Sequence, residues 1–368
     1  VTVSAGTFLF WWTRAPWSEA LFNAMAVLLV ACPCAMGLAT PVAVWGGLAR
    51  LAGFGVVART GDFLAALARC DTVCFDKTGT LSGDVLVVTR WIPLPGALHD
   101  EAWVRAAVRT AEHGVDSPVA RALTEAAGAT GGGDPAPVAQ RLEPGLGVVA
   151  TVRDREGVAR EVRVGERALH ASAPGTAQGD GKVIYVSIDG ANAAEIELGE
   201  RWRLGRDEAF SGLRALGLQV EVLTGDPHPP GDLGVPVYGG LSPEEKQEHV
   251  AALIRKGRTV AFVGDGVNDV AAMSAASVAV ALRGGSDLSR AAAMAVFAGE
   301  DLRFVPQAIR LSRRVVGGIR GNMTFASLYN LTGMALAAGG VLHPVVAALL
   351  MVGSSALVAV RALRSARG

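Results

Sequence analysis

The sequence predicts a multidomain fold of transmembrane α-helices and an open α/β domain with a smaller α+β domain inserted into it. Three observations support this. The 368 residues are 51% hydrophobic and only 18% charged, more apolar than one soluble core needs. Apolar stretches at 20–51, 323–342 and 345–360 reach or approach the length that crosses a bilayer. Between them, apolar strands ending in DKTGT, TGD and GDGVND alternate with helical patterns, the signature of a parallel sheet.

The elements follow in order. The opening VTVSAGTFLFWW has no basic leader or cleavage site; it reads as the tail of a membrane helix that continues upstream of Val1. No charge interrupts the chain between Glu19 and Arg50, so 20–51 is expected to be a spanning helix, interrupted by Pro33 and Pro41. The last two stretches form a hairpin around the turn at Gly340 to Pro344. Arg50, Arg59, Arg313, Arg314, Arg320, Arg361 and Arg364 lie on the head or C-terminal side of these spans, which puts the head in the cytoplasm. The expected division is 1–69 for membrane helices and a cytoplasmic extension, 70–83 with 200–300 for the α/β domain, 84–199 for the insert, and 301–368 for a linker helix and two membrane helices. Within the insert, KVIYVSID reads as a strand and GATGGGDPAP as a low-complexity loop.

Charge and cysteine content exclude some classes. Lys plus Arg equals Asp plus Glu at 34 each, which leaves no field suited to nucleic acid. The four cysteines, Cys32, Cys34, Cys70 and Cys74, flank apolar runs rather than spacing a small secreted domain, so a reduced compartment fits better than a disulfide framework. Cys70 and Cys74 read as core residues.

At the strand ends, Asp76 is the candidate nucleophile, because a carboxylate needs no base to attack a phosphoryl group at neutral pH. Gathering Asp76, Asp265 and Asp269 calls for a divalent cation, and oxygen ligands beside phosphate select Mg²⁺. Lys246 supplies positive charge, with Thr78, Thr224 and Asn268 as hydrogen-bond donors. In the first spanning stretch, Cys32-Pro33-Cys34 puts two sulfurs at a point where proline breaks the helical ladder. Two thiolates favour Cu(I) and tolerate Ag(I), whereas Zn²⁺ more often recruits a carboxylate or histidine as well.

DKTGT, then TGD, then a lysine ahead of GDGVND, all in this order, resemble the P-type ATPases, whose α/β domain is haloacid-dehalogenase-like and whose insert binds ATP. The resemblance implies Asp76 as phosphoryl acceptor, with Lys77 and Thr78 in its motif. It puts Asp265 and the Thr78 carbonyl on Mg²⁺, with Thr224, Gly225 and Asp226 in the hinge segment. Thr224, Lys246 and Asn268 would hold the phosphate, and Asp269 closes the magnesium segment. The CPC triplet resembles the heavy-metal branch. Tyr329 and Asn330, and Met351 with Ser354 and Ser355, stand where its copper-exporting members carry Tyr-Asn and Met-x-x-Ser-Ser; they and the cysteines are then the ligands expected for the transported ion. No Asp or Glu occurs in the final two spans, unlike zinc or cadmium pumps.

The insert departs from the pattern. Glu112, Gly145, Gly147 and Gly165 match positions expected to bind ATP, but Val115-Asp116-Ser117-Pro118 replaces Ser-Glu-His-Pro. Ser117 stands where a histidine orients the nucleotide, and Glu166 where asparagine is usual, so weaker ATP binding is expected. No Thr-Gly-Glu actuator loop has a match, which implies an actuator domain and further membrane helices before Val1. The reading that results is ATP-driven export of Cu(I) or Ag(I), in a bacterial inner membrane and with a copper chaperone as partner. Its alternatives are a zinc or cadmium pump, a soluble phosphatase, and a non-catalytic membrane metal-binding protein.

Overall fold

Strands of continuous apolar sequence, TVCFD, VAFVG and VAVAL, build the centre of the main sheet, and every residue in them is buried. Such runs suit parallel strands covered on both faces. The computed structural model describes all residues except 33, 96–98, 129–136, 171–181, 228–232, 266, 284–286 and 368. The chain divides into two compact units, one of Val1–Asp76, Leu204–Gly225 and Leu241–Gly368, the other of Lys77–Arg203 and Asp226–Gly240.

In the first unit, neighbouring strands run in the order Val56–Ala58, Ala295–Phe297, Val278–Leu282, Val260–Gly264, Thr72–Asp76 and Gln219–Leu223. Only the first pairing is antiparallel. Thr72–Asp76 thus lies between Val260–Gly264 and Gln219–Leu223, in register with both, and the polar loops leave one sheet edge together, where open α/β folds place ligands. Helix Pro243–Arg255 begins at a reciprocal cap between Ser242 and Glu245, satisfying otherwise orphaned N–H groups. Cys74, Phe262, Met273 and Val250 share one apolar core. Cys70 and Cys74 are free and buried, and burial pushes the Cys70 thiol up to about 12; both are core residues rather than ligands.

The helices at the two ends belong to the same unit. Residues 20–51 form two helices rather than one, Trp17–Val30 and Cys34–Gly53. The first ends at Val30 with Ala31 as its cap and the second starts at Cys34, while Pro41 sits inside the second helix without ending it. Phe304–Ala338 is one helix of 35 residues, about 52 Å long at 1.5 Å per residue, so the expected linker and the stretch from 323 are continuous. Among the described residues only Pro344–Ser365 is long and apolar enough to cross a membrane; Trp17–Val30 is apolar but shorter. The stretch at 323–342 falls short because Gly339 ends its helix early and Ser327, Tyr329, Asn330 and Thr332 dilute its apolar character. Gly333 lets this helix approach Trp17–Val30 closely: a Cβ there would lie 2.4 Å from Val30 Cγ1, the close packing that small residues permit between membrane helices.

The second unit is an antiparallel sheet in the order Ser82–Pro93, Ala191–Trp202, Lys182–Ile188, Ala159–Gly165, Gly147–Arg153 and Pro137–Glu143. Helices Glu101–Ala111 and Pro118–Ala127 cover one face through a shared core that includes Trp103, Leu123, Val164 and Ile196. Most of the GATGGGDPAP loop lies outside the described residues.

Candidate active site

Asp76 is the last residue of its strand and only 5% exposed. Its Oδ1 accepts a hydrogen bond from Lys246 Nζ at 2.5 Å, and the same ammonium donates to Asp269 Oδ1 at 2.9 Å. Lys246 reaches them from the first turns of helix Pro243–Arg255. Asp265 completes the group: Asp76, Asp265 and Asp269 present ligand atoms within 4.8 Å of one another.

The site is rich in carboxylate: burial followed by the Asp269 charge pushes Asp76 up to about 7 despite Lys246. Burial opposes the Lys246 ammonium, yet Asp76 and Asp269 outweigh it and hold its pKa above the ordinary lysine value. A hard divalent cation fits this set, because its charge offsets the surplus carboxylate and its ligands are oxygens.

In the second unit, Lys77 is ion-paired with Asp226 at 2.7 Å and Glu200 at 3.4 Å, and Ser82 Oγ donates to Glu200. Arg203 donates to the Gly79 carbonyl at 2.7 Å and the Thr80 carbonyl at 2.9 Å. These bonds hold the DKTGT loop where Gly79 takes a positive φ of 75°, a conformation that suits glycine. Glu200 and Arg203 were not among the residues singled out from sequence; their only signal is charge at the end of the strand Ala191–Trp202. Of the other candidates, Thr78 and Asn268 are exposed, Thr224 is buried, and Gly225 is exposed.

A separate cleft of about 570 Å³ in the second unit is lined by Glu112, Ser117, Gly145, Gly147 and Gly165, with Glu166 and Lys182 among its other walls. Gly147 and Gly165 pair across adjacent strands, and a Cβ on either would lie within 2.5 Å of backbone: 2.2 Å from Val164 O at Gly147, 2.1 Å from Leu146 O at Gly165. Burial pushes Glu112 up to about 7. Ser117 lines the cleft, but its hydroxyl accepts from Ala120 N at 3.0 Å as the cap of helix Pro118–Ala127, so it is occupied in holding backbone. Glu166 is paired with Lys182 at 3.2 Å. His113 is exposed and lies outside the helices.

Among the described residues the aspartate trio is the one His, Cys, Asp or Glu group that could share an ion. Pro33 and the Cys34 side chain lie outside the described residues. Cys32 is half-buried in the short link between helices Trp17–Val30 and Cys34–Gly53. Tyr329, Asn330, Met351, Ser354 and Ser355 are half-buried, and Ser354 Oγ donates to Met351 O at 2.9 Å.

A family model for haloacid dehalogenase-like hydrolases matches residues 70–277. The chain belongs to this family. Over its whole length the resemblance is to its heavy-metal P-type ATPases. Copper-transporting ATPase 1 of Rhizobium meliloti is 34% identical, covering 99% of this chain and 46% of that protein. The silver exporting P-type ATPase of Salmonella typhimurium is 33% identical, covering 99% and 47%. The solved structure of a zinc-transporting PIB-type ATPase matches with a TM-score of 0.82 and 30% identity, covering 100% of this chain and 62% of that one. The chain thus spans about half the length of the curated relatives it matches.

Proposed function

We propose that this chain is the catalytic and part of the transport portion of an ATP-driven exporter of Cu(I), with Ag(I) as a second cargo, in a bacterial inner membrane with its head in the cytoplasm. The observation that carries the reading is the buried Asp76 joined to Asp269 through Lys246, at the tip of a strand in a haloacid dehalogenase-like domain.

Asp76 Oδ attacks the γ-phosphorus of ATP. The new P–O bond forms an acyl phosphate, the β,γ-bridging bond breaks, and ADP leaves with the electron pair. Lys246 neutralises charge that develops on the transferred group, and Asp269 keeps the ammonium in place. Mg²⁺, held by Asp76, Asp265 and the Thr78 carbonyl, would screen the phosphate oxygens. Thr224, Asn268 and the Lys77 to Asp226 segment would fix its orientation. The cleft of Glu112, Gly145, Gly147 and Gly165 would hold the nucleotide, where close backbone approach needs glycine.

Copper is favoured by the Cys32-Pro33-Cys34 triplet, whose cysteines would bind a soft ion as thiolates, and by the lack of any acidic residue in the last two spans. Tyr329 and Asn330 lie one turn before Gly333, on its helix face, and Gly333 packs on Val30, two residues from Cys32. This supports one ion path formed with Met351 and Ser354. Membrane lipid, a copper chaperone, and an actuator domain with further helices from the same parent chain complete the proposed assembly. The zinc reading is the second, supported by the zinc-transporting structural relative.

The test uses the full-length protein, reduced and reconstituted, with radiolabelled ATP. An acid-stable, hydroxylamine-sensitive phosphoenzyme is expected with Cu(I) or Ag(I), and none in Asp76→Asn. Label that appears with Zn²⁺ alone would overturn the copper reading, and label retained by Asp76→Asn would overturn the nucleophile.

A further inference from the structure

We infer that Arg50, Arg310 and Arg314 form a binding site for the phosphate of an anionic membrane lipid. Together with Gln307, Phe54 and Leu311 they line a cleft of about 140 Å³ in the first unit. No carboxylate among the described residues pairs with any of the three guanidiniums; Arg50 lies over the Phe54 ring at 5.1 Å.

Their placement is unfavourable without a counterion. Arg310 and Arg314 are four residues apart on helix Phe304–Ala338, where like charges face each other and oppose helix formation. Arg50 has a local reason for its charge, being in the last turn of helix Cys34–Gly53, where the helix dipole favours a cation. The other two have none, and converge with it on one small space. Guanidinium forks bind phosphate oxygens in pairs, and a tetrahedral oxyanion would satisfy several donors at once.

Position and shape select a lipid over a free anion. Arg50 is the first charge after the uncharged run that follows Glu19, and Trp45, 73% exposed, precedes it as an aromatic residue of the interface would. Gly47 packs on Val315, since a Cβ there would lie 3.1 Å from Val315 Cγ2, which brings Arg314 to the level of Arg50. Basic clefts at this level on the cytoplasmic side suit anionic headgroups. The volume is about a quarter of that of the cleft in the second unit, 140 against 570 Å³, a size that suits a phosphate rather than a nucleotide, and Phe54 and Leu311 offer an apolar wall to the glycerol end. The inference rests on the membrane placement of these helices and is independent of the metal and of phosphoryl transfer.

The test is binding of short-chain phosphatidylglycerol, phosphatidylcholine and inorganic phosphate to the full chain in neutral detergent, read as ligand-induced shifts in melting temperature. Phosphatidylglycerol is expected to bind, and Arg310→Ala with Arg314→Ala to weaken it at least roughly tenfold. Arg121→Ala with Arg155→Ala, which removes equal charge from the exposed surface of the other unit, should leave it unchanged. The ligand-free melting temperature shows that the variants fold. Equal weakening by the two double variants, or a response to phosphatidylcholine or inorganic phosphate as strong as to phosphatidylglycerol, overturns the lipid site. Loss of phosphoenzyme in Asp76→Asn with lipid binding intact would separate this site from the catalytic reading.

Discussion

Lys246 donates to both Asp76 and Asp269, and all three are buried. Removing it takes the shared ammonium from two buried carboxylates, a loss of about 3–5 kcal/mol for a buried pair. The native state holds the Asp76 proton up to about pH 7, whereas an unfolded chain loses it near the ordinary value of about 4. Native protein therefore binds more protons within that window, and this contribution to stability falls as pH rises from about 4 to about 7. Lys246→Ala should thus be more destabilising at pH 8 than at pH 5 in denaturant unfolding, and should form no phosphoenzyme. Mg²⁺ competes with the same proton, so its stabilisation of the wild-type chain should grow across this window. A Mg²⁺ effect that is flat with pH would contradict the trio as its site.

Ser117 shows how an element can claim a residue that motif comparison assigns to a ligand. Its hydroxyl caps helix Pro118–Ala127, so Ser117→Ala should cost about 1 kcal/mol and Ser117→Asp, an equally good cap, should not; thermal unfolding distinguishes them. The paired strands Gly147–Arg153 and Ala159–Gly165 set a stricter limit. A methyl group at Gly165 would meet the Leu146 carbonyl at 2.1 Å, and overpacking of this kind costs about 1–3 kcal/mol. Gly165→Ala is expected to reduce stability and nucleotide binding together, measured by melting temperature and calorimetric titration. Helix ends in the membrane region follow the same local logic in part: one helix stops at Val30, shortly before Pro33, while Pro41 lies inside the next.

Helix Phe304–Ala338 joins the apolar end of the chain to the sheet that carries Asp76. Arg313, in its first third, donates to the Leu216 carbonyl at 2.7 Å and the Cys70 carbonyl at 3.0 Å, just before the strand Thr72–Asp76. Arg313→Ala leaves these carbonyls without that donor, at about 1–3 kcal/mol, and frees the strand from the helix. In the full-length protein it should lower metal-stimulated phosphoenzyme while leaving nucleotide affinity, which the proposed function assigns to the other unit, unchanged. Unaltered metal stimulation would show that coupling runs elsewhere.

Much of the chemistry was legible from one dimension, because DKTGT, TGD and GDGVND are local strand-end motifs and their sheet is specified by continuous apolar strands. The sequence alone determined the α/β class and the inserted domain, and marked Asp76 as the candidate nucleophile and Cys32-Pro33-Cys34 as the candidate soft-metal triplet. Tertiary structure decided which charges meet. It joined Lys246 to both Asp76 and Asp269 across 170 and 23 residues, gave Lys77 its partners Asp226 and Glu200, and converted the expected linker and span into one helix. Such pairings depend on sheet register and helix packing between distant segments, and sequence spacing carries no record of either.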